Sequence, residues 1–340
     1  PLDQFIDLAL YNKKTGYYMK KNPFGRDGDY ITAPLVSKLF GEMIAVWCIS
    51  FWEHLGKPKQ FIITELGPGD GSLCKDLMET FKKFDHFYQS LEMKLIEKSL
   101  KLKKIQKNKI NNKKVEWIND IEELKSGPIV FLCNEFFDSL PIKQFYKKNN
   151  FFYEKHIGLS KKSKTVDFFY KKADKKLITT LKKLNLFDGK SFVEYPVSGI
   201  NYLKKISKKI KKFGGSILLF DYGYTETKSS NTLQSISKHR YSSILKNPGD
   251  ADITHLVNYN LFFNTLKKSN LEVNKVVTQR EFLQKLGIIE RANILSQKMN
   301  FKTKADIYYK LKKLLHFKEM GNLFKVLSAQ KKGSKFSLGF

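Results

Sequence analysis

Residues 61–84 constrain the fold more than any other stretch. Six residues, Phe61 to Leu66, form a short apolar run that carries an acid, Glu65. Gly67-Pro68-Gly69-Asp70-Gly71 follows at once, and Leu73 to Phe84 then repeats with helical spacing. A buried strand, a tight glycine turn and a helix in immediate succession make a ligand cradle. The glycines allow the turn and close backbone approach, and the helix start offers free N–H groups. Dinucleotide enzymes build this cradle with Gly-x-Gly-x-x-Gly to seat a pyrophosphate. Here the spacing is Gly67-x-Gly69-x-Gly71, and the carboxylate of Glu65 would repel a pyrophosphate. It suits the cationic aminoacyl end of S-adenosylmethionine. Glu97 closes the next apolar run, Met93 to Glu97, where it can accept both ribose hydroxyls. Asp120 follows a third run, Val115 to Ile118, and is expected to hold the adenine amino group.

Alternation of strand and helix continues on both sides of this loop. Helices are expected around Leu2 to Leu10, from Ser37 to Leu55, near Leu100 to Gln106 and from Ile200 to Phe213. Further strands are expected at Ile129 to Asn134, Ser216 to Asp221 and Phe324 to Gln330. The pattern predicts an α/β fold with a mostly parallel sheet and helices on both faces; with the acid-glycine loop, the expected type is a class I, Rossmann-like methyltransferase, whose sheet has seven strands. An N-terminal helical segment with a cofactor-covering loop takes residues 1–60. The core runs through 61–141, 191–224 and 266–340. Residues 142–190 break the alternation and read as an inserted β/helical substrate region, with a hairpin around Asn149-Asn150. Residues 225–254 read as a polar loop, within a substrate-side insertion that extends to 265.

Charge narrows the function less than its size suggests. The net charge is +29, but 58 lysines stand against four arginines. Nucleic-acid sites lean on arginine for bidentate contacts, and the lysines are spread along the whole chain as solvated faces. Cys48, Cys74 and Cys133 have no metal-pair spacing and read as buried apolar groups in a reducing compartment. No metal site is expected. The longest apolar stretch, Met43 to Trp52, falls short of the roughly 20 residues that span a bilayer. The expected partner is a protein substrate, with no nucleic acid and no stable membrane insertion; a homodimer is the oligomer to test. Composition points to a bacterial cytoplasm, with the mitochondrial matrix as the alternative.

Several longer blocks resemble one family. They are Leu10-Tyr11 to Gly16-Tyr17-Tyr18, Phe24 to Pro34, Glu65 to Gly71, and Asn134-Glu135-Phe136-Phe137-Asp138-Ser139-Leu140-Pro141. Asp221-Tyr222-Gly223-Tyr224, Gly249 to Thr254, Thr278 to Leu283 and Lys318 to Leu327 follow in order. Together they resemble the MidA-like methyltransferases, the family that includes the mitochondrial complex I assembly methyltransferase. The resemblance implies methylation of a protein arginine on a peripheral-arm subunit of respiratory complex I, near its quinone site. One block departs from the family: Thr-Ala-His-Val-Asp-Phe is replaced by Thr254-His255-Leu256-Val257-Asn258-Tyr259, which shifts the His by one position and turns the Asp into Asn258.

An arginine acceptor stays protonated, so carboxylates must hold its guanidinium and aim one nitrogen at the methyl. Glu135 and Asp138 follow the fourth strand, whose carboxyl end faces the cofactor in an open α/β sheet, and are the expected catalytic pair. By topological analogy, protein arginine methyltransferases place the first of their two acceptor-binding glutamates there. The bland reading is that the pair only shapes the turn before Pro141. Asn134 is expected to bond cofactor or substrate. Asp29 and Thr32 are expected to bring the N-terminal segment over the cofactor, with a helix cap as the other reading of Thr32. Asp221, Tyr222 and Tyr18 are expected at the acceptor channel. His239-Arg240 reads as an exposed loop pair. Two other functions stay open at this point: a non-catalytic, cofactor-binding assembly chaperone, and an RNA or DNA methyltransferase. The second lacks the Asn/Asp-Pro-Pro-Tyr/Phe block that stacks a flipped base.

Overall fold

A computed structural model describes residues 1–25, 28–29, 32–160, 164–226, 230–237 and 240–340. Its centre is the expected sheet. β1 (Phe61–Leu66), β2 (Leu91–Ile96), β3 (Val115–Ile118) and β4 (Ile129–Asn134) are parallel, and Gly215–Tyr224 extends them beside β4. Phe324–Lys331 runs antiparallel to Gly215–Tyr224, and Leu271–Val273 pairs on its far side. The seven-strand path is Leu271–Val273, Phe324–Lys331, Gly215–Tyr224, β4, β1, β2, β3. Two-residue strands extend it: Val257–Asn258 pairs with the end of Gly215–Tyr224, and Val277–Thr278 with the start of Phe324–Lys331.

β1 and β4 are apolar along most of their length, with no alternation, because both faces of a parallel sheet are covered. Phe61, Ile63, Val130 and Leu132 pack with α4 (Lys38–His54) and α5 (Ser72–Phe81) through Phe40, Trp47, Leu77 and Phe81. Ile62, Leu66, Phe131 and Cys133 face the helices Val197–Phe213 and Tyr259–Lys268 through Ile200, Leu203, Ile206 and Phe262. All three cysteines are buried and unpaired. No helix among the described residues is long and apolar enough to cross a membrane.

Two additions sit beside the sheet. The first is a four-stranded antiparallel sheet of Val166–Lys172, Phe151–Leu159, Lys143–Lys148 and Phe192–Tyr195. Its central turn, Asn149-Asn150, has φ of +48° and +64°, the left-handed pair that a two-residue hairpin requires and that Asn tolerates. Its fourth strand lies beyond residue 190, past the expected insertion. The second addition corrects the expected polar loop. Residues 225–254 hold a three-stranded sheet of Gln234–Ser237, Arg240–Ser242 and Asp252–Thr254. α1 (Leu2–Tyr11) joins the additions: Leu2, Ile6 and Leu10 share one apolar cluster with Ile142, Ile157, Ile244 and Ile253. The N-terminal segment and the late insertion therefore form a single roof over the carboxyl ends of β1, β2 and β4.

Candidate active site

A cleft enclosing about 1270 Å³, open mouth included, lies between that roof and the sheet. Its floor is the 65–73 loop, the end of β2 with Glu97 and Lys98, and the turn from Asn134 to Leu140. Its roof is Tyr11, Tyr18, Phe24, Thr32, Pro34, Gln234, Ile236, Asp252 and Thr254. Location at the carboxyl ends of parallel strands follows from the winding, because every loop there leaves a strand and enters a helix.

The glycine loop has the shape its spacing predicts. Gly67, Gly69 and Gly71 have φ of +65°, +55° and +84°, and Gly71 caps α5. A side chain at Gly67 would place its Cβ 2.9 Å from the Phe136 ring. Glu65 is 2% exposed, and its Oε2 has no hydrogen-bond partner. Burial, with Asp70 and Glu97 nearby, pushes its carboxyl up to about 8. An orphaned carboxylate oxygen on the wall of a cleft calls for a cation. Glu97 is better held. Its Oε1 accepts from the backbone of Ser99 at 2.8 Å and its Oε2 from Gln106 at 3.2 Å. Gln106 also donates to the carbonyl of Gly69 at 2.7 Å and accepts from Trp117 at 2.8 Å, tying the loop to the ribose-side acid. Sequence reasoning missed Gln106, a buried glutamine on the helix Leu100–Ile110 with no local signal. Phe136 and Tyr202, edge to face at 5.1 Å, supply the flat apolar walls on the cleft. An ammonium partner for Glu65, an acid for a diol and aromatic walls for a base fit S-adenosylmethionine. Glu65, the glycine loop, Glu97 and the two rings are the residues that would hold it.

The expected acceptor side is built on one turn. Glu135 has φ of +51°, an uncommon conformation for any residue but glycine and one that local structure must enforce. Its N–H donates to the carbonyl of Phe220 at 2.9 Å. Its Oε1 accepts from Asn134 Nδ2 at 3.1 Å and from the backbone of Ala33 at 3.4 Å, and the Tyr222 hydroxyl also bonds the carboxylate. Burial outweighs these bonds and raises the carboxyl to about 7. Asp138 is buried on the same wall, and burial together with Asp221 and Glu135 raises it well above the usual range. Asn134, Thr32, Tyr222 and Tyr18 also line the cleft. The Asn134 Oδ1 is buried without a partner. Thr32 precedes the short helix Ala33–Val36 and makes no side-chain cap bond.

Three expected residues lie elsewhere. Asp120 does not line the cleft. It caps the 3-10 turn Ile121–Glu123, pairs with Lys205 at 3.1 Å and is about half exposed, so its carboxylate is occupied before any adenine arrives. Asp221 is fully buried behind the acceptor turn. Its Oδ2 accepts from the backbones of Phe137 at 2.9 Å and Asp138 at 3.1 Å, and its Oδ1 from Tyr222 at 2.9 Å. It shapes the turn and does not line the cleft. Asp29 also stands outside the cleft lining, bonded to the Tyr17 hydroxyl at 2.6 Å and Lys21 at 3.0 Å. His239 lies outside the described residues, and Arg240 is exposed on its strand. Asp120→Ala should leave S-adenosylmethionine affinity within about twofold of wild type by titration calorimetry; a tenfold loss would return Asp120 to the site.

The departing block also has a place. Asn258 caps the helix Tyr259–Lys268 by accepting from the backbone of Leu261 at 3.0 Å, a role that Asp and Asn fill equally well. His255 is buried, and its N–H donates to the carbonyl of Asp138 at 3.0 Å. The block therefore supports the acceptor turn from behind. Asp252, Tyr11 and Gln234 line the cleft from the roof and were not singled out as site residues, although Asp252 lay in a matching block. Among the described residues, no group of three or more His, Cys, Asp or Glu could hold a metal ion.

Comparison with known proteins bears on the family and the cofactor. Residues 43–277 match a family model for S-adenosyl-L-methionine-dependent methyltransferases. The chain is 30% identical over 354 residues to a Xenopus laevis protein named protein arginine methyltransferase NDUFAF7, mitochondrial, covering 96% of this chain and 80% of that one. A Caenorhabditis elegans homologue of that protein is 30% identical over 319 residues, covering 86% and 74%. A crystal structure from Burkholderia thailandensis with bound S-adenosyl-homocysteine superposes over all of this chain and 89% of that one, with a TM-score of 0.84 at 20% identity. The chain belongs to the MidA-like family of S-adenosylmethionine-dependent methyltransferases.

Proposed function

We propose that this enzyme methylates an arginine guanidinium in a protein, and that the protein is a peripheral-arm subunit of respiratory complex I met during assembly. The observation that carries the reading is the turn after β4, which presents two buried carboxylates, Glu135 and Asp138, to one wall of the cleft. Buried carboxyl groups whose pKa is raised hold a negative charge only beside a cation. A guanidinium meets a carboxylate in a two-pronged fork that also fixes its plane. A neutral nucleobase offers no such compensation, which sets aside the nucleic-acid reading. The matched relatives carry the name protein arginine methyltransferase, and their names, which include the word mitochondrial, favour the mitochondrion as the compartment.

S-adenosylmethionine, when bound, supplies an electrophilic methyl group on a sulfonium. The chain's own contribution is position. Holding donor and acceptor in line supplies roughly 7–11 kcal/mol of a bimolecular barrier. Glu135 and Asp138 hold the guanidinium and turn one nitrogen toward the cofactor loop. Alkylation makes that nitrogen acidic, and Glu135, raised to about 7, is placed to take the proton. Asp221 and the backbone bond from Glu135 to Phe220 hold the turn, and the Asn134 amide holds the Glu135 carboxylate.

The test is incubation of the purified protein with isotope-labelled S-adenosylmethionine and isolated peripheral-arm subunits, with tandem mass spectrometry of the products. Methylarginine on one subunit is expected. Cofactor binding without any modified arginine would replace the enzyme by an assembly chaperone.

A further inference from the structure

The roof brings a carboxylate to the cleft that the sheet does not supply. Asp252 opens the strand Asp252–Thr254, is 5% exposed and lines the cleft opposite the Asn134–Leu140 turn. Its Oδ1 accepts from the Tyr18 hydroxyl at 2.8 Å and from the backbone of Ile253 at 2.9 Å. Among the described residues, its Oδ2 makes no hydrogen bond or ion pair. The charge of Asp252 acts on both Glu135 and Asp138, so the three carboxylates share one electrostatic site.

Its place is held firmly by parts of the chain far apart in sequence. Tyr18, on the short helix Tyr17–Lys20, stacks on Tyr11 at 5.6 Å and meets Tyr17 edge to face at 5.1 Å. Lys20 pairs with Asp250, and Lys21 donates to the Asp250 carbonyl at 3.0 Å. Gly249, at φ of +89°, lets the chain pass so close to Thr15 that a Cβ there would sit 2.3 Å from its carbonyl oxygen. The N-terminal segment and the 249–254 segment are thus one body, and Asp252 is its acid on the cleft.

We propose that Asp252 is a third acceptor-binding carboxylate, which takes from the roof side the guanidinium N–H groups that Glu135 and Asp138 leave unpaired, with Tyr18 fixing the plane of its carboxyl group. This rests on the arginine reading above. A guanidinium carries five N–H donors, and one carboxylate fork uses two. A buried acceptor site that satisfies only one edge would leave the others desolvated and unmet, at the cost of selectivity. One guanidinium neutralises one carboxylate, and burial lets the other carboxyl groups keep protons while their carbonyl oxygens still accept.

A purely structural role for Asp252, anchoring Tyr18 and the roof, makes the opposite prediction for one substitution. In Asp252→Asn the amide oxygen can still accept from Tyr18 and Ile253, but the second oxygen becomes an N–H₂ that faces a cation. The measurement is titration calorimetry of the protein saturated with S-adenosylhomocysteine. The probes are the peptide acetyl-Gly-Gly-Arg-Gly-Gly-amide and its citrulline counterpart, which has nearly the same shape without the charge. Wild type should prefer the arginine peptide. Asp252→Asn should weaken it at least about tenfold, with S-adenosylhomocysteine affinity and melting temperature near wild type and citrulline binding unchanged. Tyr18→Phe should give a smaller loss in the same direction. Arginine-peptide affinity at the wild-type level in a folded Asp252→Asn protein, with wild type still selective for arginine over citrulline, would overturn the role of Asp252 alone. A wild type indifferent to that exchange would overturn the arginine reading and this inference together.

Discussion

Replacing Gly67 by valine should abolish S-adenosylmethionine binding, with a loss beyond about 100-fold in affinity, while the sheet still forms. Two independent costs converge at this position. Gly67 sits at φ of +65°, where a β-branched residue is a steric outlier. A Cβ there would also meet the Phe136 ring at 2.9 Å, and Phe136 is a cleft wall. The loop must shift, and it cannot do so freely. The Gly67 N–H donates to the carbonyl of Ile96 at 3.0 Å, and the Gly69 carbonyl is held by Gln106. Movement therefore displaces both the ammonium side at Glu65 and the diol side at Glu97. The variant should remain folded because Gly67 lies at the cleft, outside the apolar packing between α4, α5 and β1. Gly71 is a worse choice for the same test, because a side chain there meets Ile110 and Gln106 at 3.2–3.3 Å and would strain the contact between α5 and its neighbouring helix. Calorimetric titration beside circular dichroism decides the matter. Wild-type affinity in Gly67→Val would remove the loop from the cofactor site.

Residues positioned by the direction of the chain were legible in the sequence; those positioned by a distant partner were not. Glu65, Glu97, Asn134, Glu135 and Asp138 all stand at or just past the carboxyl ends of buried parallel strands. Such strands announce themselves as apolar runs, and in this topology their ends define the cleft. Asp120 stands at an equivalent strand end and still faces away. Its fate is decided by a cap on the next turn and by Lys205, 85 positions further on, neither of which the local sequence reveals. Asp221 is the converse: a strand-end acid whose side chain turns inward to collect three backbone N–H groups. Asp252 was hidden for another reason. The strands around it, Gln-Ser-Ile-Ser and Asp-Ile-Thr, are too short and polar to show a period. They form because α1 and the insertion give them a surface to pair on, and β propensity depends on such context.

Glu135→Gln should separate the two halves of the enzyme: methyl transfer lost by roughly 10²–10³-fold, of the size seen when one charge-stabilising group is removed, and cofactor affinity nearly unchanged. Glutamine keeps an oxygen that can accept from Asn134 and Ala33, and the backbone bond to Phe220 does not involve the side chain. What disappears is the negative charge that holds the guanidinium. The same substitution carries a stability signature that a merely structural residue would not show. In the folded chain the Glu135 carboxyl is raised to about 7, chiefly by burial, from an ordinary value of 4.5. The folded state therefore binds this proton more tightly than the unfolded state. The associated stability is fully present below about pH 4.5 and is lost as pH rises through 7. Glutamine does not titrate, so Glu135→Gln should match wild type or melt slightly lower at pH 5. At pH 8 it should melt higher, by about 2–4 °C. Melting curves across that range, without cofactor, make the comparison. An offset that does not change with pH would mean that Glu135 is not a buried acid facing an empty cation site. An inactive variant that gains stability only at high pH would mean that the chain keeps an unfavourable charge in place for its acceptor, a cost that stability alone would not retain.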